Sequence, residues 1–280
     1  MNLFCCGSCR NSPECEADTV GFGFIDERES HFGVQVDFTG SVIGASAVMI
    51  EEERWEEAVD AFSQVIDLQP SGDSLARAYL NRSIAFFLLG RFEEALADET
   101  ATIDLQPDDI ELLATAHLAR SRELEALGRP EEAVADATAA IDLQPDNIET
   151  LARAHLNRAV TLGRLGRGHE EVVADTTAAI DLQPDDINLL SRAYLVRSEA
   201  YSLLERWQES AADAATVIDL EPGDQTLLGR AHFSHARALI GQGKFDDAIE
   251  DLRTTVRLLP DTHEMSRAAS AVLIELDADG

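Results

Sequence analysis

The sequence holds a single lysine, Lys244, and confines its four cysteines to Cys5, Cys6, Cys9 and Cys15; only 6% of it is aromatic. No run approaches the roughly 18 apolar residues of a membrane-crossing helix. The first fifteen residues lack the basic start and apolar stretch of a secretory signal, so the expected compartment is cytoplasmic. Acylation of the cysteines beside Leu3 and Phe4 is the alternative, membrane-associated reading, although Asn2 stands where a myristoylated glycine would be needed.

Basic residues are scarce as a class. The chain has 22 against 53 acidic ones, a formal net charge of −31. Such a field repels phosphate backbones, which argues against nucleic acid as a partner. Catalytic signatures are missing too: there is no Gly-x-Ser-x-Gly elbow, His-Glu-x-x-His helix or phosphate loop, and Gly21-x-Gly23 lacks a third glycine and a following helix. The chain therefore reads as a non-enzyme without cofactors. The four cysteines are a weak zinc candidate, because structural zinc sites generally use two separated ligand pairs rather than one tight run.

What is present is repetition. Asp67-Leu-Gln-Pro70 recurs as Asp104-Leu-Gln-Pro107, Asp142-Leu-Gln-Pro145, Asp181-Leu-Gln-Pro184, Asp219-Leu-Glu-Pro222 and, degenerate, Arg257-Leu-Leu-Pro260, with prolines 37, 38, 39, 38 and 38 residues apart. Between them a second string returns: Leu89-Gly-Arg-Phe-Glu-Glu-Ala95, Leu127-Gly-Arg-Pro-Glu-Glu-Ala133, Leu204-Glu-Arg-Trp-Gln-Glu-Ser210 and Gly243-Lys-Phe-Asp-Asp-Ala248. Apolar residues at helical spacing run from Ile110 to Leu127 and again from Pro130 to Leu143. Gly128 ends the first run, and Pro145 follows the second, where a helix cannot continue. Each unit is thus an αα-hairpin, and Asp108 with Glu111, like Asp146 with Glu149, has the spacing of a capping box.

Small residues hold one place in every first helix (Ser46, Ser83, Ser121, Ala159, Ser198, Ala236) and another near the start of every second helix (Ala58, Ala95, Ala133, Val172, Ser210, Ala248), which lets the paired helices approach closely. Small residue, Leu-Gly, an aromatic such as Phe92, Trp207 or Phe245, alanine and a terminal proline together resemble the tetratricopeptide repeat family over residues 40 to 276. The departures are local. The period exceeds the family's usual length of about 34 residues, Pro130 takes an aromatic slot, an extra residue falls near Gly168 and His169, and Glu205 replaces a glycine.

The resemblance implies an all-α fold, a right-handed α-solenoid of stacked helix-turn-helix repeats. The expected repeats are 39–70, 71–107, 108–145, 146–184, 185–222 and 223–260, followed by a capping helix and tail over 261–280. A cysteine-containing tail over 1–38 precedes them, and alternation in Val20–Ile25 and Phe32–Phe38 predicts a β-hairpin there. Ser41 to Glu53 is expected to supply the leading helix of the first repeat.

Two columns are read as architecture. Arg82, Arg120, Arg158, Arg197 and His235 recur in the first helices, and Asp98, Asp136, Asp175, Asp213 and Asp251 in the second. In the first repeat both give way to alanine, at Ala45 and Ala61, so five structural ion pairs are expected. His117, His155 and His232 stand where Tyr79 and Tyr194 stand elsewhere, roughly 10 Å from repeat to repeat, too far to share one metal ion.

The resemblance also places the first helices on a concave face, where repeat proteins bind extended ligands. Projected on it, that face carries Arg77, Leu80, Asn81, Ile84, Phe87, Leu118, Arg122, Arg153, Leu156, Arg164, Arg192, Leu195, Arg230, Phe233 and Arg237. Arginine forks among apolar side chains suit another protein's peptide of acidic or mixed acidic and apolar character, and the expected function is a non-catalytic scaffold holding such segments. The same arginines could instead pair with acids of neighbouring repeats. Two other roles stay open. Self-association could proceed through the N-terminal hairpin with Phe22, Phe24 and Phe38. A co-chaperone-like adaptor is suggested by Asn81, which resembles a carboxylate-clamp asparagine, but Thr115 and Ala119 stand where such clamps place basic residues.

Overall fold

A computed structural model describes residues 54–166 and 168–278. The cysteine cluster, the expected hairpin and the leading helix expected over 41–53 lie outside the described residues. Among the described residues twelve helices follow one another: α1 (Trp55–Asp67), α2 (Asp73–Leu88), α3 (Phe92–Asp104), α4 (Ile110–Ala126), α5 (Pro130–Asp142), α6 (Ile148–Arg164), α7 (His169–Asp181), α8 (Ile187–Leu203), α9 (Trp207–Asp219), α10 (Gln225–Gly241), α11 (Phe245–Leu258) and α12 (Glu264–Ala278). No strand occurs among the described residues.

The helix stops repeat because their chemistry does. Gln69, Gln106, Gln144, Gln183 and Glu221 each take a left-handed φ between 45° and 52°, two residues past the helix and one before the proline. A side chain in that region costs about 1 kcal/mol, and the proline that follows cannot rejoin a helix. Glu205 adopts the same hand (φ 58°) at the place held by Gly90, Gly128, Gly166 and Gly243 in the other repeats.

The starts differ from expectation by one residue. The caps are Asp109 and Asn147, whose side chains accept from the N–H of Leu112 and of Thr150, both at 3.1 Å, rather than Asp108 and Asp146. Glu111 and Glu149, the expected reciprocal partners, reach forward instead and accept from the N–H of Asn147 (3.4 Å) and of Asp186 (3.1 Å) in the next repeat. Stacking lays the following loop over the first turn, so these carboxylates meet the next repeat's amides rather than the N–H groups left free at their own helix start.

Each helix packs on its neighbours in sequence. In addition α2, α4, α6, α8, α10 and α12 touch one another in series, whereas the odd-numbered helices do not. A row whose members touch runs at smaller radius than a row whose members are spread apart, so the even-numbered helices line the inner side of the stack. Ala95, Ala133, Ser210 and Ala248 are fully buried where the helices pair, and Ser121 Oγ, buried by this closeness, donates to the carbonyl of Ala133 at 2.9 Å. The core is a chain of small alanine-rich clusters, and α12 closes the last one with Ala269, Val272, Leu273 and Leu276.

Candidate functional site

Two features recur along the stack: a ladder of buried ion pairs between the helices of each hairpin, and a groove on the inner row. In the ladder, Arg82 reaches Asp98 with two hydrogen bonds of 2.7 Å, and Arg120 and Asp136 do the same. Arg158 meets Asp175 at 2.7 and 2.6 Å, Arg197 meets Asp213 at 2.7 and 2.9 Å, and His235 meets Asp251 at 2.6 Å.

Two further columns belong to this ladder and were not read from the sequence. The histidines placed apart as equivalent residues each hydrogen-bond the aspartate of their own repeat: His117 to Asp136 at 2.8 Å, His155 to Asp175 at 2.9 Å and His232 to Asp251 at 2.7 Å. Each arginine also spans the repeat boundary, donating to Ser63 (2.9 Å), Thr100 (3.3 Å), Thr138 (3.2 Å) and Thr177 (3.0 Å) respectively. The signal was present. A hydroxyl (Ser63, Thr100, Thr138, Thr177) lies two residues after the aspartate position of every repeat that precedes an arginine, and Ala215 replaces it in the repeat that precedes His235, so acceptor and arginine disappear together.

Burial opposes ionisation of Asp98, Asp136, Asp175 and Asp251. At Asp136 and Asp175 hydrogen bonds from both histidine and arginine outweigh it and hold the carboxyl below its ordinary range. At Asp98, beside Tyr79 instead of a histidine, burial prevails over Arg82 and the carboxyl is raised. The hydrogen bond to Asp98 nonetheless raises Arg82, so the pair stays ionic and the rise at Asp98 reflects its desolvation.

The groove consists of two adjoining cavities, about 710 and about 350 Å³, that share Val160, Arg164 and Arg192. The larger holds Ile84, Phe87, Leu118, Arg122, Arg153 and Leu156 of the expected set, and the smaller adds Leu195 and Arg230. Arg77, Leu80, Asn81, Phe233 and Arg237 line neither. Leu80 is a core residue packed among Ala76, Leu112, Ala116 and Ala119. Leu118, Leu156 and Leu195 form floor rather than wall, at 8%, 1% and 1% exposure, because helix pairing draws their side chains into the interior. Asn157 and Asn188 line the larger cavity and were not anticipated, although Asn157 is the counterpart of Asn81 two repeats on.

Most of the arginines are committed. Arg77 pairs with Asp109 at 2.9 Å, Arg153 with Asp186 at 2.8 Å, Arg164 with Glu125 at 2.8 Å and Arg230 with Glu199 at 2.9 Å, each bond crossing to a neighbouring repeat. Arg122 lies 4.9 Å over the Phe87 ring. Among the described residues Arg192 makes no hydrogen bond or ion pair. The lining as a whole sets Arg122, Arg153, Arg164, Arg192 and Arg230 against Glu125, Asp186 and Glu199, a net positive strip in a chain of charge −31. The described residues contain no cluster of three potential metal ligands, and no helix among them is long and apolar enough to cross a membrane.

Family models described as tetratricopeptide repeat match residues 50–110 and 233–277, and residues 114–147. No curated protein matches the sequence. Among solved structures, Pseudomonas aeruginosa pilF is similar at a TM-score of 0.66 and 13% identity, over 86% of this chain and 97% of that one. A structure of the APC/C hetero-tetramer Cut9-Hcn1 matches at 0.65 and 14%, over 85% of this chain, which spans only 42% of that one. YrrB, described as a TPR protein with an unusual peptide-binding site, matches at 0.57 and 18%, over 76% of this chain and 99% of that one. At these identities the likeness is one of fold.

Proposed function

Because the chain belongs to the tetratricopeptide repeat family, whose members generally act as non-catalytic protein-interaction scaffolds, we propose that it holds an extended acidic or mixed acidic and apolar segment of another protein along its inner helices. The observation that carries this reading is the continuous groove across α2, α4, α6, α8 and α10, net positive in a strongly acidic chain and floored by leucine. Like charge keeps the rest of the surface from competing for an acidic segment, and the groove concentrates the attraction. Phe87 and Ile84 at one end, with Leu203 and Val196 at the other, offer apolar contact between the guanidinium groups.

The test compares partners captured from cell lysate by the full chain and by a Phe87→Glu, Arg192→Glu variant of equal helical content. Partners lost from the variant, and competed by salt, support the groove. Identical capture by both proteins removes the groove from the account and moves any binding to another face.

A further inference from the structure

We propose that Arg192 is the specificity-determining residue of the groove, the guanidinium that receives an anionic side chain of the bound segment. The proposal rests on the groove reading above and assigns its charge selectivity to one side chain. A sequence reading counts seven arginines on this face as equivalent, but their roles differ. Those equivalent to Arg192 in flanking repeats, Arg153 and Arg230, spend a guanidinium nitrogen on Asp186 and Glu199. Arg192 has no such bond among the described residues, and it lines both cavities where they join.

Its surroundings favour an arriving anion. Burial, and then the like charges of Arg230 and Arg153, hold its pKa below the ordinary arginine value, while Asp186 and Glu125 act in the opposite sense. It remains a cation at neutral pH, now partly stripped of water and repelled from two sides. A carboxylate or phosphate entering here can accept two parallel N–H bonds from the planar fork and offset the repulsion at the same time. Val160, Leu195 and Leu203 border the smaller cavity and Ile84 and Phe87 the larger, so the fitting segment places its acid between apolar residues.

The experiment selects from a displayed library of random twelve-residue peptides on the full chain and on Arg192→Gln, with thermal melts showing that both fold. The expected result is enrichment of Asp or Glu between apolar residues on the natural protein and loss of that enrichment on Arg192→Gln. For a selected peptide, changing its acid to the amide should weaken binding about tenfold on the natural protein, the worth of one charge-assisted hydrogen bond, and under about twofold on the variant. A phosphoserine version of the same peptide, compared with glutamate, tells which anion fits better.

Amide exchange separates the two levels of failure. Peptides that protect α4, α6 and α8 but show no acid preference, or keep it on Arg192→Gln, overturn the role of Arg192 and leave the groove standing. Protection elsewhere, or enrichment of no peptide, overturns the groove itself.

Discussion

Replacing Glu99 by glutamine should change stability little near pH 4 and stabilise the protein progressively more as pH rises to 8. Glu99 on α3 and Glu123 on α4 are 1% and 0% exposed, and no hydrogen-bond donor reaches Glu99 Oε2 or either carboxyl oxygen of Glu123. Burial and then the charge of Glu123 push Glu99 up to about 9, and burial pushes Glu123 up to about 7 against the attraction of Arg122, 3.9 Å away. In the unfolded chain both carboxyls titrate near the ordinary glutamate value. Above about pH 5 the folded state therefore holds more protons than the unfolded one. The stability tied to those protons is complete below the unfolded pKa and is lost as pH rises through the folded values. One extra proton in the native state corresponds to about 1.4 kcal/mol per pH unit, so the proton on Glu99 alone accounts for a loss of about 3 kcal/mol between pH 6 and pH 8. Glutamine keeps the shape and cannot ionise. Urea unfolding followed by circular dichroism at several pH values, with amide exchange in α3 and α4 to localise the effect in a solenoid that opens repeat by repeat, measures the difference between the two proteins. A difference that stays constant from pH 6 to pH 8 refutes the reasoning, because Glu99 would then titrate as an exposed carboxyl does.

Asp175→Leu should cost about 3 kcal/mol by orphaning Arg158 within the helix pair, and adding Arg158→Met should recover much of it. Strictly additive losses in the double-mutant cycle would count against a coupled pair. Gly241→Ala should destabilise by roughly 1–3 kcal/mol, since the new Cβ would lie 2.3 Å from the Trp207 ring; an unchanged melting temperature would show that the ring swings aside freely. Glu205→Gly should stabilise by about 0.5–1 kcal/mol by relieving its left-handed backbone (φ 58°), and a lower melting temperature would contradict that.

The sequence by itself determined the period, the alternation of helices, their stops at the Leu-Gln-Pro strings and the pairing of the Arg and Asp columns. All of these are written within one repeat, over the 16 or 17 residues that separate Arg82 from Asp98 or Arg158 from Asp175. What only the tertiary structure decided lies between repeats. The commitment of Arg77, Arg153 and Arg230, the forward reach of Glu111 and Glu149, the depth of Leu80 and Leu156, and the burial of Glu99 against Glu123 all depend on how far one hairpin is rotated and translated on the next. Glu99 and Glu123 illustrate the limit: Glu99 shares its helix with the exposed Glu93, Glu94 and Asp104, Glu123 lies two residues from the half-buried Glu125, and nothing in the spacing marks either as buried. Hydrophobic period and capping chemistry act along the chain and are legible there. The stacking geometry sums weak contacts over whole helix faces, so it becomes definite only once the repeats are packed.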